Sequence, residues 1–198
     1  MKTNSNPRYL TKSRFKLGLE CPNKLFYTRK EKEYANNKKD DPFLKALAEG
    51  GFQVEELARM HYPDGILIEG ESWEYDKAWR RTQELLKQEN VILFEAAFLI
   101  DGLFIRTDIL IKKENSIQLI EVKSKSYDPL DEYLFIGKRG GLVKSWKPYL
   151  FDVAFQKYVM QICYPEWNIS SFLMMANKKK TASIDGMNQL FRVTNKSS

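Results

Sequence analysis

The segment "IRTDILIKKENSIQLIEVKSKS" (residues 105–126) predicts two β-strands joined by a short turn. Both strands are rich in isoleucine and leucine, yet each carries charged residues at its centre. Asp108 lies within the first strand, and Glu121 and Lys123 lie within the second. Ionised side chains are seldom placed in strands this apolar unless they have a partner. The segment therefore predicts a β-hairpin that carries a charged site.

The flanking sequence predicts the order helix, three antiparallel strands, helix, strand. A strand is expected over 91–100, and the Asp101-Gly102 dipeptide is typical of a tight turn into the next strand, 103–112. The third strand is expected over 117–123, followed by a long loop over 124–147. Two short helices are expected within 13–32. The remaining elements are expected as helices over 42–60, 73–88 and 149–163 and a strand over 169–176, with an interruption of the first helix at Gly50-Gly51 left open.

The composition indicates a globular protein, since 43% of the 198 residues are hydrophobic and 13% are aromatic. This length suits one domain, which we divide into an N-terminal helical extension (1–40) and a core (41–198), with further domains of a longer protein as expected partners. The net charge of +6 is compatible with a polyanionic partner. No apolar run suits a membrane span or a signal peptide, and two cysteines are too few for a disulfide scaffold. We therefore expect a cytoplasmic protein with no membrane partner.

The spacing of the charges in the hairpin predicts a metal site. Glu121 and Lys123 project from one face of their strand, after Ile117 and Leu119 on the same face, and Asp108 lies on the adjacent strand. Two converging carboxylates repel each other unless a cation lies between them, and Mg²⁺ or Mn²⁺ prefers such oxygen ligands. A nearby lysine can hold a water or a phosphate oxygen, which favours metal-assisted phosphodiester hydrolysis. The alternative is that these acids simply face solvent.

The order of these residues resembles the PD-(D/E)xK nuclease superfamily, specifically its RecB-like branch. The residues that carry the resemblance are Glu95, Asp108, Glu121-Val122-Lys123 and Gln156, together with the segments "LTKSRFKLGLECPNKLFY" (10–27), "FDVAFQKYV" (151–159) and "FLMMANK" (172–178). The chain looks most like a bacterial family of RecB-like nuclease domains. The resemblance implies an α/β (α+β) fold with a restriction-endonuclease-like αβββαβ core, in which helices flank a mixed sheet. It also implies cleavage of DNA with Mg²⁺ or Mn²⁺ as the cofactor.

The resemblance assigns roles to the charged residues of the hairpin. Asp108 and Glu121 match the metal ligands of the family, and Lys123 matches the lysine that assists the attacking water. Thr107 stands where the proline of the family name would stand.

Three supporting positions also match. "GFQVE" (51–55) is similar to a helical motif that makes Glu55 an outer metal ligand, or Glu56 if the register is shifted by one residue. Glu95 either lines the site or pairs with a basic residue, and a supporting role is expected. Gln156 matches the helix glutamine of the branch, although Met160 replaces the tyrosine that usually follows it.

Cys21 matches a cysteine that, in iron–sulfur members of the branch, joins three others to hold a cluster. Four thiolates are needed for such a cluster, and this chain offers only Cys21 and Cys163. No iron–sulfur cluster is therefore expected.

The loop that follows Lys123 is the expected nucleic-acid interface. Lys138, Arg139, Lys144 and Lys147 would contact phosphates, and the loop should overhang the site. The aromatic residues that could stack on unpaired bases are Tyr133, Phe135 and Trp146. The alternative interpretation, a solvated charge pattern, is favoured for the other basic clusters, which lie at 12–16 with Lys24, at 29–32, at 38–39 and at 178–180. The rival functions are a nucleic-acid-binding module that cleaves little and a structural domain of a larger protein.

Overall fold

The structure is a computed structural model that describes residues 8–28, 30, 33–34, 41–71, 73–181, 183 and 185. The strands in these ranges are β1 (Leu10–Thr11), β2 (Ile66–Leu67), β3 (Asn90–Ile100), β4 (Leu103–Lys113), β5 (Ser116–Tyr127) and β6 (Asn168–Asn177). The helices are α1 (Lys12–Glu20), α2 (Pro22–Tyr27), α3 (Pro42–Arg59), α4 (Tyr75–Leu85) and α5 (Lys147–Cys163). Within the described residues, no helix is long and apolar enough to cross a membrane.

The strands form one mixed sheet in the order β2-β3-β4-β5-β6, with β1 added beside β4. Strands β3, β4 and β5 are antiparallel neighbours, whereas β6 runs parallel to β5 and β2 runs parallel to β3. The α/β (α+β) class, the mixed sheet and the predicted order of the main elements are confirmed. The tight turn at Asp101-Gly102 is confirmed as well, because both residues have the positive φ angles, 46° and 78°, that such a turn requires.

Helix α3 starts as expected, with Asp41 as its cap and Pro42 at its first position, and it continues through Gly50-Gly51 without the interruption that the sequence left open. Two details differ from the sequence-based expectations. Strand β5 extends to Tyr127, beyond the predicted end at 123, because β6 pairs with it up to Asn177. The loop therefore begins at residue 128. The two-residue strands β1 and β2 were not predicted.

The two faces of the sheet are covered by different helices. On one face, Ile117 and Leu119 belong to a large core that also includes side chains of α4 and α5. On the other face, Ile120 and Val122 pack in a smaller core with Ala58 of α3. This alternation confirms the predicted faces of β5. It directs Glu121, which follows Leu119 on the first face, toward α5.

Helix α1 is held beside β4 at its start and against α5 by one of its aromatic rings. Strand β1 pairs with Leu103 and Phe104 of β4 immediately before the helix starts. Four residues into the helix, the ring of Phe15 stacks on that of Phe155 in α5, with the centroids 4.4 Å apart. The start of α1 therefore lies beside the first half of β4.

Candidate active site

The candidate site lies at an opening in the edge of β4. One edge of β4 pairs with β3 from Leu103 to Lys113, except at Asp108, which has no partner in the register. On the other edge, β5 pairs with Ile109 to Lys113 and β1 pairs with Leu103 and Phe104. Among the residues that the structure describes, none forms a strand beside residues 105–108 on this edge. Asp108 lies at the border of this opening. Its Oδ2 accepts a hydrogen bond of 2.7 Å from the backbone N–H of Val122, which ties together the two strands where they diverge.

The side chains of Asp108 and Glu121 converge, as predicted, but the group between them is the ammonium of Lys12. Lys12 Nζ lies 3.0 and 3.1 Å from the two carboxylate oxygens of Glu121 and 3.5 Å from Oδ1 of Asp108. Glu121 is completely buried, and 8% of Asp108 is exposed. Lys123 also donates to Glu121, as the predicted shared face requires. Gln156 Nε2 donates to the second oxygen of Glu121 at 2.6 Å.

A third acid, Asp152 of α5, belongs to the same site. It is completely buried, and its Oδ2 lies 2.9 Å from Lys16 Nζ and 3.6 Å from Lys123 Nζ. Its Oδ1 has no hydrogen-bond partner among the described residues. The members of this acid–lysine cluster are Asp108, Glu121, Asp152, Lys12, Lys16 and Lys123. With all six groups ionised, the three negative and three positive charges of the cluster balance.

The environment moves the pKa values of the two converging acids apart. Burial raises the pKa of Asp108 to about 7, although Lys12 acts in the opposite direction. Burial would also raise the pKa of Glu121, but Lys12 and Lys123 outweigh it and hold this pKa at about 2. Burial would lower the pKa of Lys12, and the charges of Asp108 and Glu121 raise it above its ordinary value instead. Acids with separated pKa values occur in catalytic sites and also in structural ion-pair networks.

Glu55 faces the site, whereas Glu56 does not. A cavity of about 430 Å³ is lined by Glu55, Glu95, Asp108 and Lys12, among other residues. The pKa of Glu55 is raised, first by burial and then by the charge of Glu95. Glu56 lies at the surface, where it pairs with an arginine of its own helix at 3.4 Å. Of the two predicted alternatives, Glu55 is the residue that could act as an outer ligand.

Glu95 both lines this cavity and pairs with basic residues. Its carboxylate lies 3.1 Å from a guanidinium nitrogen of Arg59 and 3.2 Å from one of Arg106. Its backbone has a φ of 57°, a left-handed conformation that costs a non-glycine residue about 1–2 kcal/mol. Two arginines offset the charge of this acid, so its position agrees with the supporting role expected for it.

The residues present fit a weakly bound Mg²⁺ or Mn²⁺. Asp108 and Glu121 offer hard oxygen ligands, and the Lys12 ammonium marks a point that a cation can occupy within reach of both carboxylates. Within the described part of the chain, no group of three or more His, Cys, Asp or Glu side chains is arranged to hold a metal. Mg²⁺ commonly binds through one or two carboxylates and keeps several waters, so a carboxylate pair suffices for such an ion. Cys21 and Cys163 are free, partly buried thiols.

The basic side chains that were predicted to contact phosphates, three in the loop and Lys147 at the start of α5, do not join the cluster. Lys138, Arg139, Lys144 and Lys147 are exposed, and in the described ranges none of them bonds to an acid of the cluster. The loop instead lines a second cavity, of about 1000 Å³, with Leu134 and Phe135 beside side chains of β6 such as Phe172.

The prediction that Trp146 could stack on an unpaired base is wrong, because its ring is buried. Only 6% of Trp146 is exposed, because its ring packs against those of Phe135 and Tyr149. Tyr133 remains 42% exposed, with the ammonium of Lys138 at 5.2 Å from its ring centroid.

Sequence analysis missed the roles of Lys12, Lys16 and Asp152. The two lysines were assigned to a solvated basic cluster, yet both turn inward toward acids. The pattern that could have indicated this is their spacing of four residues, which places them on one face of α1. Asp152 could have been recognised in the same way, because it precedes Gln156 by one helical turn and therefore lies on the same face of α5. Of the other basic clusters, residues 38–39 and all of 29–32 except Lys30 lie outside the described residues.

No family model matches the chain, and neither the curated proteins nor the solved structures that were searched include a match. The resemblance to PD-(D/E)xK nucleases therefore stays a prediction. A function has to be inferred from the chemistry of the acid–lysine cluster.

Proposed function

We propose that this chain is a metal-dependent nuclease of the PD-(D/E)xK type that hydrolyses the phosphodiester bonds of DNA. The observation that carries the proposal is the convergence of Asp108 and Glu121, from two diverging strands, on one cation position. The ammonium of Lys123 lies beside the same acid pair. On this proposal, β3, β4, β5 and β6, with the helices around them, form a restriction-endonuclease-like core.

Each residue of the site has a role in this proposal. Asp108 and Glu121 would hold Mg²⁺ or Mn²⁺, which polarises a phosphoryl oxygen and lowers the pKa of a bound water. Lys123 would orient the attacking water and stabilise the negative charge that develops in the transition state. Gln156 fixes the orientation of Glu121 through its hydrogen bond of 2.6 Å. Glu55, across the cavity, would hold a water of the metal.

Nucleic acid would reach this site along the exposed basic surface. Lys138, Arg139, Lys144 and Lys147 would contact phosphates, and Tyr133 would offer a ring on which an unpaired base can stack. We place this activity in the cytoplasm, with further domains of a longer protein as expected partners.

A second candidate function is a nucleic-acid-binding module that cleaves little. The balanced charge of the acid–lysine cluster favours it, because its three lysines can neutralise its three acids without a metal. The two functions differ in what Lys123 does. In a nuclease this lysine acts on the transition state, whereas in a binding module it is one phosphate contact among several.

The test compares Lys123→Ala and Asp108→Asn with the wild type in Mg²⁺-dependent cleavage of single- and double-stranded DNA and RNA. Loss of one electrostatic group of this kind should lower the cleavage rate by about 10²-fold or more while affinity changes little. Lys77→Ala is the matched control, since Lys77 is an exposed lysine that pairs with Glu74 on α4.

A different set of results would favour the binding module. If the wild type cleaves no substrate, and binds nucleic acid with a salt dependence that Lys123→Ala reduces by about one phosphate contact, the binding module is favoured instead.

A further inference from the structure

Lys12 occupies the position in which the proposed function requires a metal. Its ammonium bridges the two acids, at 3.0 Å from Glu121 and 3.5 Å from Asp108. With all six groups of the acid–lysine cluster ionised, their charges balance, so a divalent ion added to the cluster would leave two positive charges in excess. An ammonium and a divalent ion between the same carboxylates would also repel each other strongly.

We infer that Lys12 is a built-in competitor of the metal, whose ammonium holds Asp108 and Glu121 together in the metal-free protein and leaves them when a divalent cation binds. This inference rests on the proposed function, because it concerns the metal that the nuclease needs. It assigns to Lys12 a positioning role, in which the lysine sets the affinity of the site for metal.

The location of Lys12 allows its side chain to leave without a movement of the fold. Lys12 is the first residue of α1, and its backbone is fixed by strand β1, which directly precedes it and pairs with β4. Its side chain is 23% exposed and borders the cavity of about 430 Å³. A lysine has a long, flexible stem, so the ammonium can turn from the acids into this cavity.

Lys16 offers a matched comparison within the same cluster. It carries the same charge on the same face of α1, but it pairs with Asp152 and not with the metal-binding acids. A variant of Lys16 therefore removes one positive charge from the cluster without vacating the cation position. Methionine is the replacement of choice at both positions, because it keeps an unbranched side chain and removes the charge.

The experiment is calorimetric titration of the full chain with Mn²⁺ alone, for the wild type, Lys12→Met and Lys16→Met. We expect Lys12→Met to bind Mn²⁺ at least about tenfold more tightly than the wild type, within the range usual for coupled binding. Lys16→Met should gain much less. Equal affinities of Lys12→Met and the wild type would overturn the inference, and so would a gain by Lys16→Met as large as that by Lys12→Met.

The result for the wild type separates this inference from the proposed function. If the wild type binds Mn²⁺ and Asp108→Asn does not, the metal site stands whatever Lys12 does. If no variant binds Mn²⁺, the metal site and the competition both fail.

Amine labelling of the wild type keeps the inference testable if Lys12→Met does not fold. Peptide mass spectrometry would follow the acylation of each lysine with and without Mn²⁺. We expect labelling of Lys12 to rise with Mn²⁺ while labelling of Lys16 stays the same. Unchanged labelling of Lys12 at a Mn²⁺ concentration that saturates the site would overturn the inference.

Discussion

Replacement of Lys12 by Met and of Glu121 by Gln, singly and together, measures how much the ammonium and the carboxylate stabilise each other. The two groups are 3.0 Å apart, Glu121 is fully buried and the Lys12 side chain is 23% exposed. With an effective dielectric constant of about 20, their Coulomb attraction is roughly 5 kcal/mol, and immobilising the lysine side chain costs about 2 kcal/mol. We therefore expect a coupling free energy on the order of 2–3 kcal/mol in this cycle.

The coupling is measured by urea unfolding at pH 7, followed by tryptophan fluorescence, with EDTA present so that no metal occupies the site. The control is the same cycle on Lys24 and Glu20, whose charged atoms are 2.7 Å apart but whose side chains are 52% and 65% exposed. Water screens that pair, so its coupling should be too small to measure. If the cycle on Lys12 and Glu121 shows no more coupling than the control, Lys12 does not lie between the carboxylates in solution, and its competition with the metal would lose its physical basis.

Three further predictions concern stability. The pKa of Glu121 is held at about 2 in the folded protein, against an ordinary value of 4.5. The ionised acid therefore contributes stability that is complete above pH 4.5 and is lost as the pH falls toward 2. Across this pH range, the melting temperature of Glu121→Gln should fall less than that of the wild type. A Cβ atom at Gly65 would collide with the ring of Phe94, so Gly65→Ala should lower the free energy of unfolding by about 1–3 kcal/mol. At Gly51 within α3 an added Cβ meets nothing within 4 Å, so Gly51→Ala should instead raise the free energy of unfolding by up to about 1 kcal/mol, and urea titration of both variants checks the pair. A stable Gly65→Ala variant would show that the turn can move away from the ring.

The main strands were predictable because their pattern is local. The apolar runs on both sides of Asp101-Gly102 differ sharply from the polar turns that bound them, and the turn itself requires two positive φ angles that these two residues tolerate well. The strands β1 and β2 have only two residues each, and neither Leu10–Thr11 nor Ile66–Leu67 has a periodic pattern. They are strands because a neighbouring edge of the sheet is open to them, which is a property of the tertiary structure.

Some residues of the candidate site were likewise predictable from local sequence, and others were not. Asp108 and Glu121 are on paired strands, so the register of one hairpin brings them together. Lys12 is 109 residues from Glu121 along the chain, and no spacing in the sequence relates the two. A lysine near the start of a polar, basic segment is usually solvated, and only the pairing of β1 with β4 turns this one inward.

The arrangement of Lys12 also has a consequence for the proposed nuclease as a whole. Two buried carboxylates without a cation would repel each other and destabilise the metal-free fold, and burial already raises the pKa of Asp108 to about 7. Lys12 relieves this repulsion, but it does so from the position proposed for the metal, so on this proposal stability without metal and affinity for metal are opposed. Lys12→Met should therefore be less stable than the wild type in EDTA and should gain more stability from saturating Mn²⁺, because the free energy that displaces the lysine in the wild type becomes available for binding. If Mn²⁺ raised the melting temperature of both proteins equally, the two properties would be independent, and Lys12 would be a structural partner of Glu121 with no influence on the metal.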